Sequence, residues 1–248
     1  MVNNVFIYRA RCSCYNKWMG SGKSFSLNFI NKEQIAQDTY SFFFDRSEVP
    51  FDFLPGQYVR MTLPHGNPDD RGTSRYFTIA SSPLQKNVLM LTVKILESSF
   101  KKALYHLQPG DTVQFFGPMG WFLLSKDDKQ EKVFISGGIG ITPFHSLLTT
   151  FADEKLHAPI TLLAAFSEHA ETLFYDELMA INDKHAQITI VYIKQRISEG
   201  LIKKHVKDIV KPVYYVVGSP LMVEATKELL FSMKISEEQI QTEDFTGY

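Results

Sequence analysis

A change in hydrophobic pattern at residues 126–132 constrains the fold of this chain more than any other feature. From residue 25 to residue 124, apolar and polar side chains alternate in short runs that are rich in β-branched and aromatic residues and end at Pro, Gly or Asn turn signals. These runs are TYSFFFD, QYVRMTLP, RYFTIASSP, VLMLTVKIL and DTVQFFGP. A period close to two at this spacing predicts a small antiparallel β-barrel of Greek-key type.

One helix is expected inside the barrel region. The segment SSFKKALYHLQ places Phe100, Leu104 and Leu107 on one helical face, with Ser98 or Ser99 as the N-cap.

The pattern after the polar linker, which runs from Lys126 to Lys132, alternates between strands and helices. Apolar runs that predict buried parallel strands are KVFIS, ITLLAAF, QITIVYI and VYYVVG. Helical stretches are expected at Pro143–Asp153, Glu171–Ile181, Glu199–Val206 and Pro220–Ser232. The sequence therefore predicts a doubly wound α/β sheet, and three segments in all: an N-terminal extension (1–24), a barrel domain (25–126) and an α/β domain (127–248).

The extension is basic. It contains Arg9, Arg11, Lys17 and Lys23 and no acidic residue, which suits either a membrane-surface or targeting segment or a leader without a role in the fold. Its GSGKS run is not a phosphate-binding loop, because that motif requires glycine at the position of Lys17.

Composition excludes several classes of function. A formal net charge of −1 argues against binding nucleic acid through phosphate neutralisation. No run of eighteen apolar residues predicts a transmembrane helix, so the cytoplasm is the expected compartment. Cys12 and Cys14 are the only cysteines, too few for a disulfide framework or a plant-type iron–sulfur cluster, and no metal site is predicted. The oligomeric state stays open.

Two glycine turns suggest a ligand crevice. In VFISGGIGITPF, a strand ends in glycines and a helix follows, with Thr142 expected as its N-cap and Pro143 at its first position. The glycines at 137, 138 and 140 would let a ligand approach the backbone, although tight helix–strand packing also requires glycine. A second turn, GSP at Gly218, Ser219 and Pro220, follows the last predicted parallel strand and lies on the same carboxyl edge.

The barrel segment RYFTIASSP resembles the R-x-Y-S motif of the ferredoxin–NADP reductase superfamily, with Phe77 in place of the tyrosine and Thr78 in place of the serine. Further segments follow the order of that family: PGQY, GPMGWF, GGIGITP, GSP and the C-terminal EDFTGY. The resemblance covers residues 25–248. It implies FAD on the barrel and a nicotinamide dinucleotide on the α/β domain.

The resemblance implies roles for barrel residues. Arg75 would bind the FAD pyrophosphate, Phe77 would stack on the isoalloxazine, and Thr78 would offer its hydroxyl or backbone N–H near flavin N5. The start of the helix, with Ser99, Phe100 and Lys101, would face the same pyrophosphate. Gln57 and Tyr58, after the PG turn, are weaker candidates for contact with the cofactor, and Tyr76 is a further candidate. Each also has a structural reading: a surface arginine, a core aromatic, a strand-forming threonine or a capping serine.

On the α/β side, the resemblance assigns the dinucleotide to the two glycine turns, with Gly138, Gly140, Thr142, Pro143, Gly218, Ser219 and Pro220 as candidates. Glu243 would assist proton transfer and Phe245 would cover the flavin ring until nicotinamide displaces it, unless the C-terminus is a disordered tail. Val217 stands where many relatives carry a catalytic cysteine, so a mechanism that needs this thiol is in doubt.

The preferred nicotinamide depends on the residues that follow the second parallel strand. Glu168 there favours NADH, because a carboxylate accepts from a free ribose hydroxyl and repels a 2′-phosphate. Glu168 is equally compatible with a solvated loop, and Lys194 or Arg196 is the alternative phosphate site.

The predicted function is an FAD-dependent NAD(P)H oxidoreductase that passes electrons to a separate ferredoxin, flavodoxin, haem protein or oxygenase component. The alternatives are direct reduction of ferric chelates, quinones or flavins, and a non-catalytic FAD-binding sensor. Lys94, Lys101 and Lys102 are candidates for a docking patch, or serve solubility alone. His145 is expected to be structural or exposed to solvent.

Overall fold

A computed structural model describes residues 22–120, 129–153, 158–167 and 172–245. The first of these ranges contains six strands and one helix: β1 Lys23–Ala36, β2 Thr39–Asp45, β3 Tyr58–Thr62, β4 Ser74–Thr78, β5 Val88–Lys94, α1 Ser99–Tyr105 and β6 Thr112–Met119. The six strands form one antiparallel sheet in the order β4-β3-β6-β1-β2-β5. A bridge between Ile79 and Leu91 joins the two edge strands, so the sheet closes into the predicted barrel.

The interior of the barrel follows from strand periodicity. In β3, Val59 and Met61 are fully buried, while the residues that alternate with them point outward. The buried set is rich in phenylalanine, and α1 adds Phe100 and Leu104 to it. Ser98 is the N-cap of α1, since its side chain accepts a hydrogen bond from the Lys101 N–H.

The sequence reasoning did not identify β1, although it is the longest strand that the structure describes. Only Leu27 and Phe29 in it are buried, so its alternation is weak. It begins at Lys23 and thus includes the last two residues of the predicted extension.

The rest of the described chain forms a five-stranded parallel sheet with helices on both faces. Its elements are β7 Lys132–Gly137, α2 Thr142–Asp153, β8 Ile160–Ala165, α3 Tyr175–Lys184, β9 Ile188–Ile193, α4 Glu199–His205, β10 Val213–Gly218, α5 Pro220–Ser232 and β11 Ile240–Asp244. The strand order is β11-β10-β7-β8-β9, and every pairing is parallel. This topology confirms the predicted doubly wound sheet.

Two hydrophobic clusters hold the parallel sheet and its helices together. In β7, Phe134 packs with α2 and α3 on one face, while Val133 and Ile135 pack with α4 and α5 on the other. Because successive side chains of a strand point to opposite faces, a continuous apolar run is needed where both faces are covered. Lys132, expected in the polar linker, begins β7 and is only 2% exposed.

One local expectation about the α/β domain is wrong. A 3-10 turn at Gly138–Ile141 runs directly into α2, so Thr142 is already helical and its hydroxyl donates to the Ile139 carbonyl instead of capping the helix. Pro143 is therefore the second residue of α2. In addition, the C-terminal segment with Glu243 is a fifth parallel strand, β11, which the sequence reasoning did not identify.

Candidate active site

The two domains contact each other through the segment that follows β4. The Ser146 hydroxyl of α2 donates to the Ser81 carbonyl at 2.7 Å, and the hydroxyls of Ser82 and Thr150 form a 2.9 Å hydrogen bond. These contacts lie immediately after the R-x-Y-S-like strand on one side and the glycine turn on the other. The candidate flavin strand and the candidate nicotinamide turn therefore border the same junction between the domains, which we call the cleft.

Arg75, Phe77 and Phe100 lie together at the end of the barrel that α1 closes. Arg75 and Phe77 pair with buried residues of β3, so both point to the interior face of the sheet. The Phe77 and Phe100 ring centroids are 6.0 Å apart, and the Arg75 guanidinium lies 5.0 Å from the Phe100 ring centroid. Tyr76 points to the opposite face, where it is 64% exposed and meets Tyr58 edge-on at 5.9 Å. The structure thus brings three of the candidates together and separates Tyr76 from them.

A cluster of cations surrounds the start of α1. Burial, followed by the charges of Arg71, Arg75 and Lys94, lowers the pKa of Lys101 to about 8. A depressed lysine pKa among other cations marks a place where a bound anion would be stabilised. The donor set therefore fits a diphosphate such as that of FAD. Lys101 belongs to this cluster more than to an outward docking patch, and Lys102 is paired with Glu97 at 2.9 Å.

The loop between β3 and β4 supplies residues that the sequence reasoning missed. The Asp69 carboxylate accepts from Arg75 at 2.5 Å and from Arg71 at 3.1 Å. Arg75 also donates to the carbonyls of residues 71, 72 and 74. Ser99 is not the N-cap; its hydroxyl accepts from the Asp69 N–H at 3.3 Å and lies 3.1 Å from His65 Nε2. The sequence feature that could have pointed to this loop is its mixture of charged residues and glycine.

Three candidates near the R-x-Y-S-like strand, Gln57, Tyr58 and Thr78, differ in their burial and in their contacts. Gln57 is 2% exposed, and its side-chain oxygen accepts from the Leu54 N–H at 2.8 Å, so it braces the preceding turn. Thr78, 8% exposed, lies opposite Tyr58 in the ladder between β3 and β4. Tyr58 is partly buried and faces the α/β domain.

The glycines of the first turn serve different purposes. A Cβ at Gly140 would lie 2.4 Å from the Val217 carbonyl oxygen, so this glycine is required by the packing of the turn against β10. Gly138 has a φ of +52° and open space around its α-carbon. Of the two, Gly138 is the one with room for a ligand. In the second turn Pro220 is the first helical residue, as expected, and Ser219 caps α5, its side chain accepting from the Met222 N–H.

Glu243 is the titratable group on the α/β side of the cleft. It lies opposite Val217 in the β10–β11 ladder, and its Oε2 is buried without a hydrogen bond within the part of the chain that the structure describes. Burial, and then the charge of Asp244, raises the pKa of Glu243 to about 7. Burial also raises the pKa of Tyr58, and the charge of Glu243 adds to this effect. The charge of Glu243 on the parallel sheet therefore acts on the phenol of Tyr58 on the barrel.

Phe245 lies next to this carboxyl group. Its N–H donates to the Gly218 carbonyl at 2.9 Å, and its ring packs against the cluster that contains Phe134. The expected C-terminal pair of an acid and an aromatic residue is thus ordered by strand pairing with β10.

Two regions were predicted to decide the nicotinamide preference, the loop residue Glu168 and the segment after β9, and the structure describes the second. Glu168 lies outside the described residues. After β9, Lys194 lines an open pocket of about 400 Å³ together with Gln195, Leu201, Lys204 and His205. Burial, and then the charge of Lys204, lowers the pKa of His205.

Two features are absent from the described ranges: a cluster of metal ligands and a helix that could span a membrane. These ranges contain no cluster of three or more His, Cys, Asp or Glu side chains arranged to hold a metal ion. They also contain no helix that is both long enough and apolar enough to span a membrane.

Comparison with known proteins matches both halves of the chain. The family model of the oxidoreductase FAD-binding domain matches residues 26–123, and that of the oxidoreductase NAD-binding domain matches residues 134–228. The chain is 25% identical over 214 residues to the reductase component of propane 2-monooxygenase from Mycolicibacterium goodii, covering 79% of this chain and 60% of that protein. It is 28% identical over 207 residues to a subunit of the Na⁺-translocating NADH-quinone reductase from Mannheimia succiniciproducens, covering 72% of this chain and 50% of that protein.

A solved structure shows the same fold. A ferredoxin NADP⁺ reductase from Neisseria gonorrhoeae with bound FAD and NADP has a TM-score of 0.77 at 20% identity, covering 90% of this chain and 98% of that chain. The chain spans about half to two thirds of the length of the curated relatives named above.

Proposed function

Because the chain belongs to the ferredoxin–NADP reductase superfamily and joins an FAD-binding domain to an NAD-binding domain, we propose that it is an FAD-dependent NAD(P)H oxidoreductase that supplies electrons to a separate acceptor protein. When bound, FAD would accept a hydride from the nicotinamide and release electrons to a one-electron acceptor. The observation that carries the proposal is the hydrogen bonding of Ser146 to Ser81 and of Thr150 to Ser82, which brings the strand proposed to face the flavin close to the helix that follows the glycine turn. This proximity supports a single cleft lined by both domains.

The barrel residues have distinct proposed roles toward FAD. Arg75, Arg71 and Lys101 bind the pyrophosphate, where each charge-assisted hydrogen bond contributes about 1.5–3 kcal/mol. Phe77 contacts the isoalloxazine with the part of its ring that the core leaves exposed. Thr78 offers a hydrogen-bond donor near N5, because it ends β4 at the mouth of the cleft.

Glu243 is proposed to hold and release a proton at its buried Oε2. With a pKa of about 7, the carboxyl group is protonated in about half of the molecules at neutral pH, which suits a general acid–base. Phe245 is proposed to cover the flavin face before nicotinamide enters. Residues of the two glycine turns, Gly138 foremost, hold the dinucleotide, and their packing excludes water from the cleft.

The acceptor is proposed to be a ferredoxin, flavodoxin, haem protein or oxygenase component. The relative from Mycolicibacterium goodii, named as the reductase component of a monooxygenase, supports a protein acceptor. A second candidate is direct reduction of a small acceptor, and the relative that belongs to an NADH-quinone reductase supports a quinone in that role. Stopped-flow reoxidation of the reduced flavin by each acceptor class separates the two.

The experiment that tests the proposal is an absorbance spectrum of the purified protein, followed by anaerobic titration with NADH and with NADPH. We expect bound FAD and its bleaching by at least one nicotinamide. A protein that takes up no FAD contradicts the proposal, and a flavin that both nicotinamides leave oxidised favours a non-catalytic sensor.

The dinucleotide preference is a finer proposal. NADH is favoured on the sequence of the loop that contains Glu168, whereas the basic pocket with Lys194 supports NADPH. The substitution Lys194→Ala distinguishes them: it raises the KM for NADPH if the pocket binds the 2′-phosphate and leaves both KM values unchanged if it does not.

Two other predictions also stay proposals. The domain boundaries are placed at 25–126 and 127–248, and limited proteolysis followed by mass spectrometry tests them. The cytoplasm is proposed as the compartment on the scarcity of cysteine, and cell fractionation tests it.

A further inference from the structure

His145 is a buried histidine that the proposed chemistry does not use. It lies in the first turn of α2, is 2% exposed, and has hydrogen-bond acceptors at both ring nitrogens. Nδ1 is 2.7 Å from the Ala80 carbonyl of the barrel, and Nε2 is 2.8 Å from the Glu177 carboxylate of α3. A carbonyl oxygen only accepts, so Nδ1 carries a hydrogen.

The imidazole is also fixed through its face. The Phe174 ring stacks on it with centroids 3.9 Å apart and an interplanar angle of 27°. Phe174 directly precedes α3 and has a φ of +58°, an unusual backbone conformation for a bulky residue. One side chain thus links the barrel, α2 and the start of α3. The hydrogen bond from His145 also lowers the pKa of Glu177, which keeps that carboxylate ionised at neutral pH.

The hydrogen bond between His145 and Ala80 lies close in the chain to both segments that are proposed to hold the cofactors. Ala80 follows Thr78, the end of the strand proposed to face flavin N5, by two residues. His145 follows the Gly138–Ile141 turn, proposed to hold the dinucleotide, by four residues. A rotation about the interface moves these two segments relative to each other, because one belongs to the barrel and the other to the α/β domain.

We propose that His145 is a positioning residue that sets the angle between the two domains and thereby the approach of nicotinamide to flavin. The inference rests on the proposed function, because the approach matters only if both cofactors bind in this cleft. Hydride transfer requires close and directed contact, and a displacement of about 1 Å costs on the order of 100-fold in rate. A residue that only stabilised the fold would change unfolding without changing hydride transfer in the folded protein.

The test uses four variants of the full chain. His145→Phe keeps a ring on Phe174 and removes both hydrogen bonds. Glu177→Ala removes one anchor, whereas Glu177→Gln keeps a polar partner that a neutral imidazole can bond. Asp176→Asn is the matched control, because it removes a charge from the same helical turn and Asp176 is exposed.

The first measurement is single-turnover flavin reduction, with NADH and with its 4-deuterated form, in variants that retain FAD. We expect His145→Phe and Glu177→Ala to slow reduction by about 10- to 100-fold with little change in the dissociation constant of the nicotinamide and with a primary isotope effect. Glu177→Gln and Asp176→Asn should stay near the wild-type rate. Reduction of folded, FAD-loaded His145→Phe and Glu177→Ala within twofold of wild type overturns the proposal.

The second measurement separates this inference from the proposed function. Hydrogen exchange of the flavin-free proteins follows the amides of the 79–82 segment, where the Ala80 N–H donates to the Met90 carbonyl. We expect faster exchange in Glu177→Ala and His145→Phe than in Asp176→Asn, and equal exchange in all variants overturns the link. If the wild-type flavin is not reduced by nicotinamide, the proposed function fails, while the exchange data still decide whether His145 ties the domains together. If His145→Phe does not fold, Glu177→Ala carries both measurements.

Discussion

The buried carboxyl group of Glu243 makes a quantitative prediction about stability. Its pKa is about 7 in the folded protein, against a usual value of 4.5, mainly because burial penalises the charged form. The difference between these pKa values corresponds to about 3 kcal/mol of unfolding free energy, since each pKa unit corresponds to about 1.4 kcal/mol. We expect Glu243→Gln to recover most of this free energy at alkaline pH.

The direction of the pH dependence follows from the raised pKa. Below pH 4.5 the carboxyl group is neutral in both the folded and the unfolded chain, so burial of the ionised form costs nothing. As the pH rises from 4.5 to about 7, the unfolded chain loses the proton that the folded protein keeps, so stability falls; above 7 the folded protein also ionises and the loss is complete. Glu243→Gln should therefore stabilise the protein by about 1 kcal/mol at pH 5 and about 3 kcal/mol at pH 8.

Urea unfolding at pH 5 and pH 8, followed by circular dichroism and by tryptophan fluorescence, measures the effect in flavin-free protein. Asp244→Asn is the control, since the exposed Asp244 contributes the smaller, electrostatic part of the raised pKa. Asp244→Asn should raise the free energy of unfolding at pH 8 by much less than Glu243→Gln does. A Glu243→Gln effect that is equal at the two pH values, within about 0.5 kcal/mol, would refute the reasoning.

Three other predictions concern the cofactor site and the glycine turn. Arg75→Ala should weaken FAD binding by about 10- to 100-fold, because it removes charge-assisted hydrogen bonds; flavin fluorescence titration checks this, and full occupancy would show that the pyrophosphate lies elsewhere. Asp69→Asn should tighten FAD binding several-fold at low salt, since a competing carboxylate leaves Arg75; an unchanged affinity would argue against that competition. Gly140→Ala should destabilise the protein by at least about 1–3 kcal/mol, because its Cβ would meet the Val217 carbonyl oxygen at 2.4 Å. Gly66→Ala, where a Cβ meets nothing within 4 Å, is its control, and equal urea midpoints for the two variants would contradict the steric argument.

The sequence predicted most elements of the α/β domain with their ends nearly correct. The run VYYVVG became β10, and Pro220–Ser232 became α5 with the expected bounds. A strand that is covered on both faces is a continuous apolar run, and a helix with capping residues has marked ends. Both patterns span a few neighbouring residues, so they can be recognised in the sequence. β11 lacked such a pattern, because only one of its five residues, Ile240, is buried and its strand character comes from pairing with β10.

The candidate site divides in the same way. Arg75, Phe77 and the glycine turns were identified because each lies within a short contiguous motif. The Asp69 contact with Arg75 and the displacement of Thr142 from the N-cap position were not, since they depend on how a loop and a 3-10 turn fold.

By itself, the sequence determined the two architectures and indicated the two cofactors, because periodicity, turn residues and short motifs act over a few neighbouring positions. The tertiary structure alone decided which groups meet across the cleft. His145 and Ala80 are 65 residues apart in the chain, and Ser82 and Thr150 are 68 residues apart. Their proximity follows from the packing of one folded domain on the other, which burial, hydrogen bonding and shape select together and no local pattern encodes.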